Sequence, residues 1–552
     1  MWSVAKDFTP EQVVHLLDQY AETLGDKKFR RETAKQIVLT IQFGRAVPAA
    51  LERFKPLISA GLEFFLSCLS QNRLKEAIHE LLLNHSDSEV GKSIFHLALH
   101  FPSLHKVGQV VARRPDIDPD LKKWLVGLEK GSYGSQLEQL IAHIEAELSS
   151  LAGGESVTVI SELVAEASVA AVIPFRWHSG DSRTTGQGVF KLLRTRVSDK
   201  LEEELQALRD TATFLEKNRE RFGLHQLKLA ELIGELGDDL RKEIDLVAEQ
   251  HRLVEAFEVY SEDDKVHIPE LLPFCTPTMT AMEFFSGLTV GELALPDKQA
   301  FELADLICRS IICTPLFWKD DRALFHGDPH AGNILTMQRG DSEHYNIVLI
   351  DWTLAGSLSR AQRMLIMRLL LGILKSDSDD IARAIIGLAH DRSSGYGGDI
   401  RVLRSDIEGH LQLNGASTGD PLVKVFQLLE HAALQGISFP SELVLYRKAF
   451  FTLEGVLNDI HPGFVMSDSV ERYLRDLLTK EFPLRSATWF IPQVDDAAAY
   501  RSLVSTSDLQ SLLVHRTFSE WQQLTEFYTT MFGVSINLAA DWLSLMGGDK
   551  ND

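Results

Sequence analysis

Three side chains in one short stretch have the right types for phosphoryl transfer. The run His326-Gly327-Asp328-Pro329-His330-Ala331-Gly332-Asn333 places an amide five residues after a carboxylate. A second carboxylate, Asp351, follows the apolar run Ile347-Val348-Leu349-Ile350 and precedes Trp352. Transfer from a nucleotide needs one carboxylate to orient and deprotonate the acceptor hydroxyl. It also needs an amide and a second carboxylate to hold Mg2+ against the phosphates. Magnesium takes few protein ligands, all oxygen, and leaves its other positions to phosphate and water. An Asn and an Asp flanking a hairpin meet that demand.

The phosphates also need a cation. Lys191 sits in the apolar strand Val189-Phe190-Lys191-Leu192-Leu193. Taken alone, such a residue reads as a strand lysine on a solvated face. If it grips the α and β phosphates, a helix carboxylate must hold it in place. The segment Lys242 to Glu249 offers candidates. Asp245 and Glu249 are four apart and are expected on one helix face, with Glu243 projecting elsewhere. A phosphate-covering loop would precede the lysine strand, where glycines normally let backbone amides approach closely. Here Val164 to Val172 is alanine-rich and has no glycine.

Around these residues the hydrophobic pattern predicts an α+β, predominantly helical chain. Residues 1–150 read as an N-terminal helical extension. Its first helix opens at Thr9-Pro10, with Thr as N-cap and Pro at the first helical position, and Val13, Leu16, Leu17 and Tyr20 recur at helical spacing. Residues 151–290 read as a small lobe with a five-stranded sheet and inserted helices. Its strands are Val157–Ile160, Ala170–Trp177, Gly188–Leu193, Val266–Ile268 and Thr278–Phe285. Residues 291–552 read as a large helical lobe, interrupted by a hairpin of Asn333–Met337 and Tyr345–Ile350. A small sheet lobe joined to a larger helical lobe, with the motif early in the second, is a bilobal protein-kinase-like plan.

Together these pieces resemble the UbiB/AarF, or ABC1-type, family of atypical kinases in the protein-kinase-like superfamily. The family's Lys-x-Gly-Gln motif is matched by Lys106-Val107-Gly108-Gln109, followed by Arg114-Pro115-Asp116 and Pro119. Its alanine-rich loop is matched by Ala165, Ala167, Ser168 and Ala170, and its Glu-x-Asp motif and pairing glutamate by Glu243, Asp245 and Glu249. Its Asp-Pro-His-Pro-Gly-Asn loop is matched from Asp328 to Asn333, with Ala331 in place of a Pro. The resemblance runs in order from about 104 to about 375.

The resemblance implies ATP and Mg2+ as cofactors and assigns roles. Asp328 is the catalytic-loop carboxylate, Lys191 the phosphate lysine and Glu249 its partner. Asn333 and Asp351 hold the metal. Met282-Glu283-Phe284-Phe285 falls where an interlobe hinge would meet adenine, so Glu283 and Phe285 join the nucleotide contacts. Lys106, Gln109, Glu243 and Asp245 form a gate over the nucleotide that restricts protein substrates. One departure stands out: Trp352-Thr353 replaces Phe-Gly after the metal Asp, and a β-branched Thr lacks the backbone freedom of Gly. No Ala-Pro-Glu segment follows, which disfavours peptide phosphorylation.

The expected function is an ATP-dependent kinase or ATPase acting on, or supporting, a small-molecule or lipid pathway of the quinone or isoprenoid kind. Two alternatives stay open. Aminoglycoside and choline kinases also use His-Gly-Asp-x-x-x-x-Asn and Ile-Asp-Trp. A nucleotide-binding scaffold with little turnover would need the same ligands. Composition narrows the partners. Lys and Arg total 56 against 78 Asp and Glu, a net charge of −22, which disfavours nucleic acid as a charge-driven partner. Four cysteines at unrelated spacings read as reduced thiols, consistent with a cytoplasmic setting. No apolar run reaches transmembrane length, and peripheral membrane contact, a protein complex and a homodimer are left open.

Overall fold

The computed structural model describes residues 10–40, 52, 55–83, 101–112, 137–151, 156–161, 165–166, 169–178, 185–193, 197–222, 229–338, 344–390, 400–413, 419–485 and 496–509. Backbone contacts divide the chain into two compact units. The first comprises Met1–Val254 with Pro269–Phe285, the second Glu255–Ile268 with Ser286–Asp552.

The first unit begins with helices α1 (Pro10–Leu24), α2 (Asp26–Thr40), α3 (Lys55–Cys68), α4 (Gln71–Leu83), α5 (Pro102–Ala112) and α6 (Leu137–Ser150). Strands β1 (Ser156–Val159), β2 (Ala165–Glu166), β3 (Ala170–His178) and β4 (Thr185–Leu193) follow, then helices α7 (Val197–Lys217), α8 (Leu229–Glu243) and α9 (Leu246–Tyr260), of which the part from Glu255 belongs to the second unit. Phe29, Phe65, Phe101, Leu205 and Leu240 interlock in a helical core. Leu16, expected on the buried stripe of α1, is exposed, and Val13 and Leu17 carry the contact instead.

The sheet of this unit runs β1-β3-β4-β6, where β6 is Met279–Glu283, and β2 adds to β3. All its pairings are antiparallel. Side chains alternate across a strand, so Phe190 and Leu192 share one face. There they pack with Phe175, Ile173 and the α6 residues Leu140 and Ile144, and Phe175 stacks on Phe190 at 3.9 Å. Lys191 therefore points to the other face. Val266–Ile268 is not part of this sheet, contrary to the sequence expectation. Strand β5 (Val266–His267) pairs parallel with a strand of the second unit, and Val266 and Ile268 bury their side chains.

The second unit holds β5, β7 (Leu288–Thr289), β8 (Arg322–His326), β9 (Ile334–Gln338), β10 (Tyr345–Leu349) and β11 (Ala355–Ser359). Four of these form a sheet in the order β5-β10-β9-β7, and β8 pairs with β11. The β8–β11 ribbon was not legible in the sequence, because Ala355-Gly356-Ser357-Leu358-Ser359 carries no β-branched residue to mark it. Helices α10 (Asp297–Cys308), α11 (Arg360–Lys375), α12 (Ser378–Leu388), α13 (Ile400–Leu413), α14 (Pro421–Leu434), α15 (Ser441–Ile460) and α16 (Met466–Arg485) complete it. Ser359 ends β11 and caps α11 through a capping box with Gln362. Phe325 of β8 meets Tyr446 of α15 at 4.9 Å, which ties the ribbon to the helical core. The motif hairpin forms as read, with Leu349 opposite Ile334.

Two cysteines, Cys308 and Cys313, are buried, Cys68 and Cys275 are half-buried, and none forms a disulfide. Among the described residues, no helix is long and apolar enough to cross a membrane.

Candidate active site

In the first unit, Lys191 and Glu249 meet. The ammonium donates to Glu249 Oε1 at 2.6 Å, with the lysine 9% and the glutamate 1% exposed. Such a pair persists only where desolvation is offset by close charge contact and further bonds. The reading of Lys191 as a solvated strand lysine thus fails. Helix α9 is held against the sheet by the next residue, Gln250, whose amide donates to the Thr276 carbonyl at 3.0 Å and the Thr280 hydroxyl at 3.1 Å. That anchor fixes Glu249 opposite β4.

Asp245 and Glu249 do not share a helix face. Helix α8 stops at Glu243, and α9 starts at Leu246. Asp245 lies between them and accepts the Ala248 amide at 3.0 Å through its side chain. An aspartate can satisfy an orphan N–H at a helix start, and here that local bond wins over helix continuation. Glu243, at the end of α8, pairs with Lys106 of α5. Gln109 lies three residues beyond Lys106 on α5. Ala165 is in β2, while Ala167 and Ser168 lie outside the described residues. Glu283 closes β6 with its side chain exposed, and Phe285 follows, half-buried.

Helix α5 has an anchor that sequence reading missed. Glu204 of α7, fully buried, accepts the Ser103 amide at 3.1 Å and the Ser103 hydroxyl at 2.7 Å, and it pairs with Arg73 of α4. The carboxylate thus occupies the first turn of α5, where helix amides favour negative charge. Burial pushes its carboxyl above the ordinary range, against the pull of Arg73 and Ser103.

In the second unit, Asp328, Asn333 and Asp351 gather around His326. The Asp328 amide donates to His326 Nδ1 at 3.2 Å, and His326 Nε2 lies 3.0 Å from the Ile350 carbonyl oxygen. With Nδ1 accepting, Nε2 carries the proton and donates. Burial holds the ring below its ordinary pKa, opposed by the Ile350 carbonyl and the nearby Asp351 and Asp328, so the imidazole is neutral. The Asn333 side-chain N–H donates to the Asp328 carbonyl at 3.0 Å, and the Ile350 amide donates to the Asn333 carbonyl at 3.1 Å. These bonds place the start of β9 beside the end of β10. Asn333 and Asp351 therefore flank the same hairpin end.

Gly327 is required where the chain turns out of β8. Its amide donates to the Leu354 carbonyl at 2.6 Å, and a Cβ would collide with that oxygen. Asp351 has φ 59°, in the left-handed region. Aspartate tolerates that region better than most residues, yet it costs about 1–3 kcal/mol. Trp352 is fully buried and packs on His326 at 4.8 Å, and its indole N–H donates to the Leu349 carbonyl at 3.2 Å. Thr353, also buried, donates its hydroxyl to Asp351 Oδ1 at 2.5 Å. Arg363 of α11, buried, donates to the carbonyls of Leu316, Trp318, Asp320 and Asp321 and so fixes the turn that feeds β8. Burial lowers its pKa to about 10.

The donors fit a hard cation. With its N–H bonded to Asp328, Asn333 keeps an amide oxygen for a ligand, and Asp351 supplies carboxylate oxygen. Both types suit Mg2+ better than a soft metal.

A buried strand lysine paired to a helix glutamate in the first unit, and an Asp, Asn and Asp set around a hairpin in the second, are the residue types that a kinase-like domain uses. Residues 137–385 match the family described as ABC1 atypical kinase-like domain. "Protein ACTIVITY OF BC1 COMPLEX KINASE 1, chloroplastic" of Arabidopsis thaliana is 28% identical over 290 residues, 51% of this chain and 40% of that protein. "Probable protein kinase UbiB" of Shewanella baltica is 24% identical over 399 residues, 69% of this chain and 68% of that protein. A protein of the same name from Cellvibrio japonicus is 23% identical over 397 residues, 70% of this chain and 68% of that protein.

Proposed function

We propose that this protein is an ATP- and Mg2+-dependent atypical kinase or ATPase of the UbiB kind, acting on or supporting a small-molecule or lipid pathway of quinone or isoprenoid chemistry. The observation that carries the reading is the buried Lys191–Glu249 pair at 2.6 Å within an ABC1 domain that also holds Asp328, Asn333 and Asp351. In this reading Lys191 contacts the α and β phosphates, and Glu249 keeps its ammonium in place. Asp328 orients the acceptor hydroxyl or water and takes its proton. Asn333 and Asp351 hold Mg2+, which when bound neutralises phosphate charge. Glu283 and Phe285 meet the base, and the loop containing Ala165, Ala167 and Ser168 covers the phosphates.

The same reading makes residues 1–150 a regulatory extension. Lys106, Gln109, Glu243 and Asp245 gate access, and the Lys106–Glu243 ion pair supports a connection between the two motifs. A gate of this kind favours small or lipid acceptors over protein segments, reached in the cytoplasm or at a membrane surface.

The test is Mg-ATP binding and phosphate release by wild type and Asp351→Asn, with and without lipid vesicles and phenolic quinone precursors. Wild-type binding that Asp351→Asn weakens at least tenfold, with turnover raised by vesicles or precursors, supports the proposal. Absence of ATP binding refutes it. Binding without turnover in every condition points to a scaffold, and transfer to soluble alcohols to a phosphotransferase of the aminoglycoside or choline kinase kind.

A further inference from the structure

The residue two places after the metal-binding aspartate is Thr353, where the resembled family has glycine. Its side chain has turned back on the aspartate. The hydroxyl donates to Asp351 Oδ1 at 2.5 Å, and the Thr353 amide points to the same oxygen at 3.4 Å. Thr353 is 4% exposed, so water competes poorly for its hydroxyl. The left-handed backbone at Asp351 folds the chain so that residue 353 can reach back. A glycine at 353 would supply the amide contact but not the hydroxyl.

We propose that Thr353 is a positioning residue that biases Asp351 toward one-oxygen coordination of a single Mg2+ and so sets the cation preference of the site. The inference rests on the kinase reading of Asp351. A hydroxyl bound to Oδ1 occupies a lone pair, withdraws charge from that oxygen and fixes the carboxylate rotamer. Oδ2 becomes the stronger ligand. One-oxygen contact suits Mg2+, which requires octahedral geometry and keeps several waters. Ca2+, which takes six to eight oxygens and often a carboxylate through both, gains less from such a group. The same bond disfavours a carboxylate bridging two cations.

The experiment uses the full chain, with ATP as probe and calorimetric binding measured in Mg2+, in Ca2+ and in EDTA. Thr353→Val keeps the β-branched shape and removes the donor, whereas Thr353→Ser keeps the donor. Loss of a group that orients a metal ligand costs about 10–100-fold in metal affinity. Thr353→Val is therefore expected to lose about tenfold in Mg2+-supported ATP affinity, to narrow the Mg2+ over Ca2+ preference, and to match wild type in EDTA. Thr353→Ser is expected to stay within about threefold of wild type by the same principle. Thr353→Val with an unchanged Mg2+ affinity and cation ratio overturns the inference. Equal losses in Val and Ser overturn it too, since packing would then be the cause. Asp351→Asn in the same assay separates the two levels. If it retains Mg2+ dependence, the kinase reading of Asp351 falls with the inference. If it loses Mg2+ dependence while Thr353→Val is silent, only the inference falls.

Discussion

Replacing Lys191 with Met tests the buried pair at the base of the nucleotide reading. The substitution keeps an unbranched stem in the strand and leaves the Glu249 carboxyl, 1% exposed, without its ammonium partner. Removing one partner of a buried pair costs about 3–5 kcal/mol. Protonation sets a limit on that cost. Neutralising a carboxyl with an ordinary pKa of about 4.3 costs about 1.4 kcal/mol per pH unit above it, hence about 3.7 kcal/mol at pH 7 and about 1 kcal/mol at pH 5. Lys191→Met is therefore expected to destabilise the first unit by about 3–4 kcal/mol at pH 7, with most of the deficit gone at pH 5. The assay is hydrogen exchange of the β4 and α9 amides in wild type and variant at both pH values. Lys191→Met/Glu249→Gln, which removes the charge, is expected to recover most of the pH 7 loss. A deficit below about 1 kcal/mol at pH 7, or one that does not shrink on acidification, refutes the burial argument.

Three further outcomes follow from the same geometry. Because His326 is held below its ordinary pKa, it contributes stability above its unfolded value near pH 6.5, and that contribution is lost as pH falls below it. Wild-type urea midpoints measured between pH 7.5 and 5 are expected to fall more steeply than those of His326→Gln. Gly327→Ala drives a methyl into the Leu354 carbonyl and is expected to cost about 2 kcal/mol or more, read from denaturant unfolding of the second unit. Glu204→Ala breaks the buried Arg73 pair and uncaps α5, and a loss of about 3 kcal/mol corresponds to roughly hundredfold faster amide exchange in that helix. Unchanged exchange in α5 would show that Glu204 does not anchor it.

Much of this site was legible because its chemistry constrains residue type at short spacing. Asp328 and Asn333 lie just before one hairpin and Asp351 just after it, so the strand pattern brought Asn333 and Asp351 to the same hairpin end. Lys191 required a guess about a partner 58 residues away, and a paired apolar strand gave no sign of which face the lysine takes. The Asp245 expectation failed because helical spacing cannot see a cap that ends one helix and begins another. Val266–Ile268 was assigned to the wrong sheet because β-propensity marks a strand and not its neighbour. His326 and Thr353 stand out as motif residues, but their hydrogen bonds, like the whole of Glu204's role, escaped for a common reason. Those contacts are hydrogen bonds to backbone groups or between side chains distant from any repeat, and no periodicity records them.

The ring of His326 has a mechanical consequence. It grips the Asp328 amide with one nitrogen and the Ile350 carbonyl with the other. When strand β8 shifts, both loops are carried along, so the spacing of the two carboxylates resists displacements that change their distance to the surrounding helices. A displacement of β8 then moves the Asp328 loop and the end of β10 together.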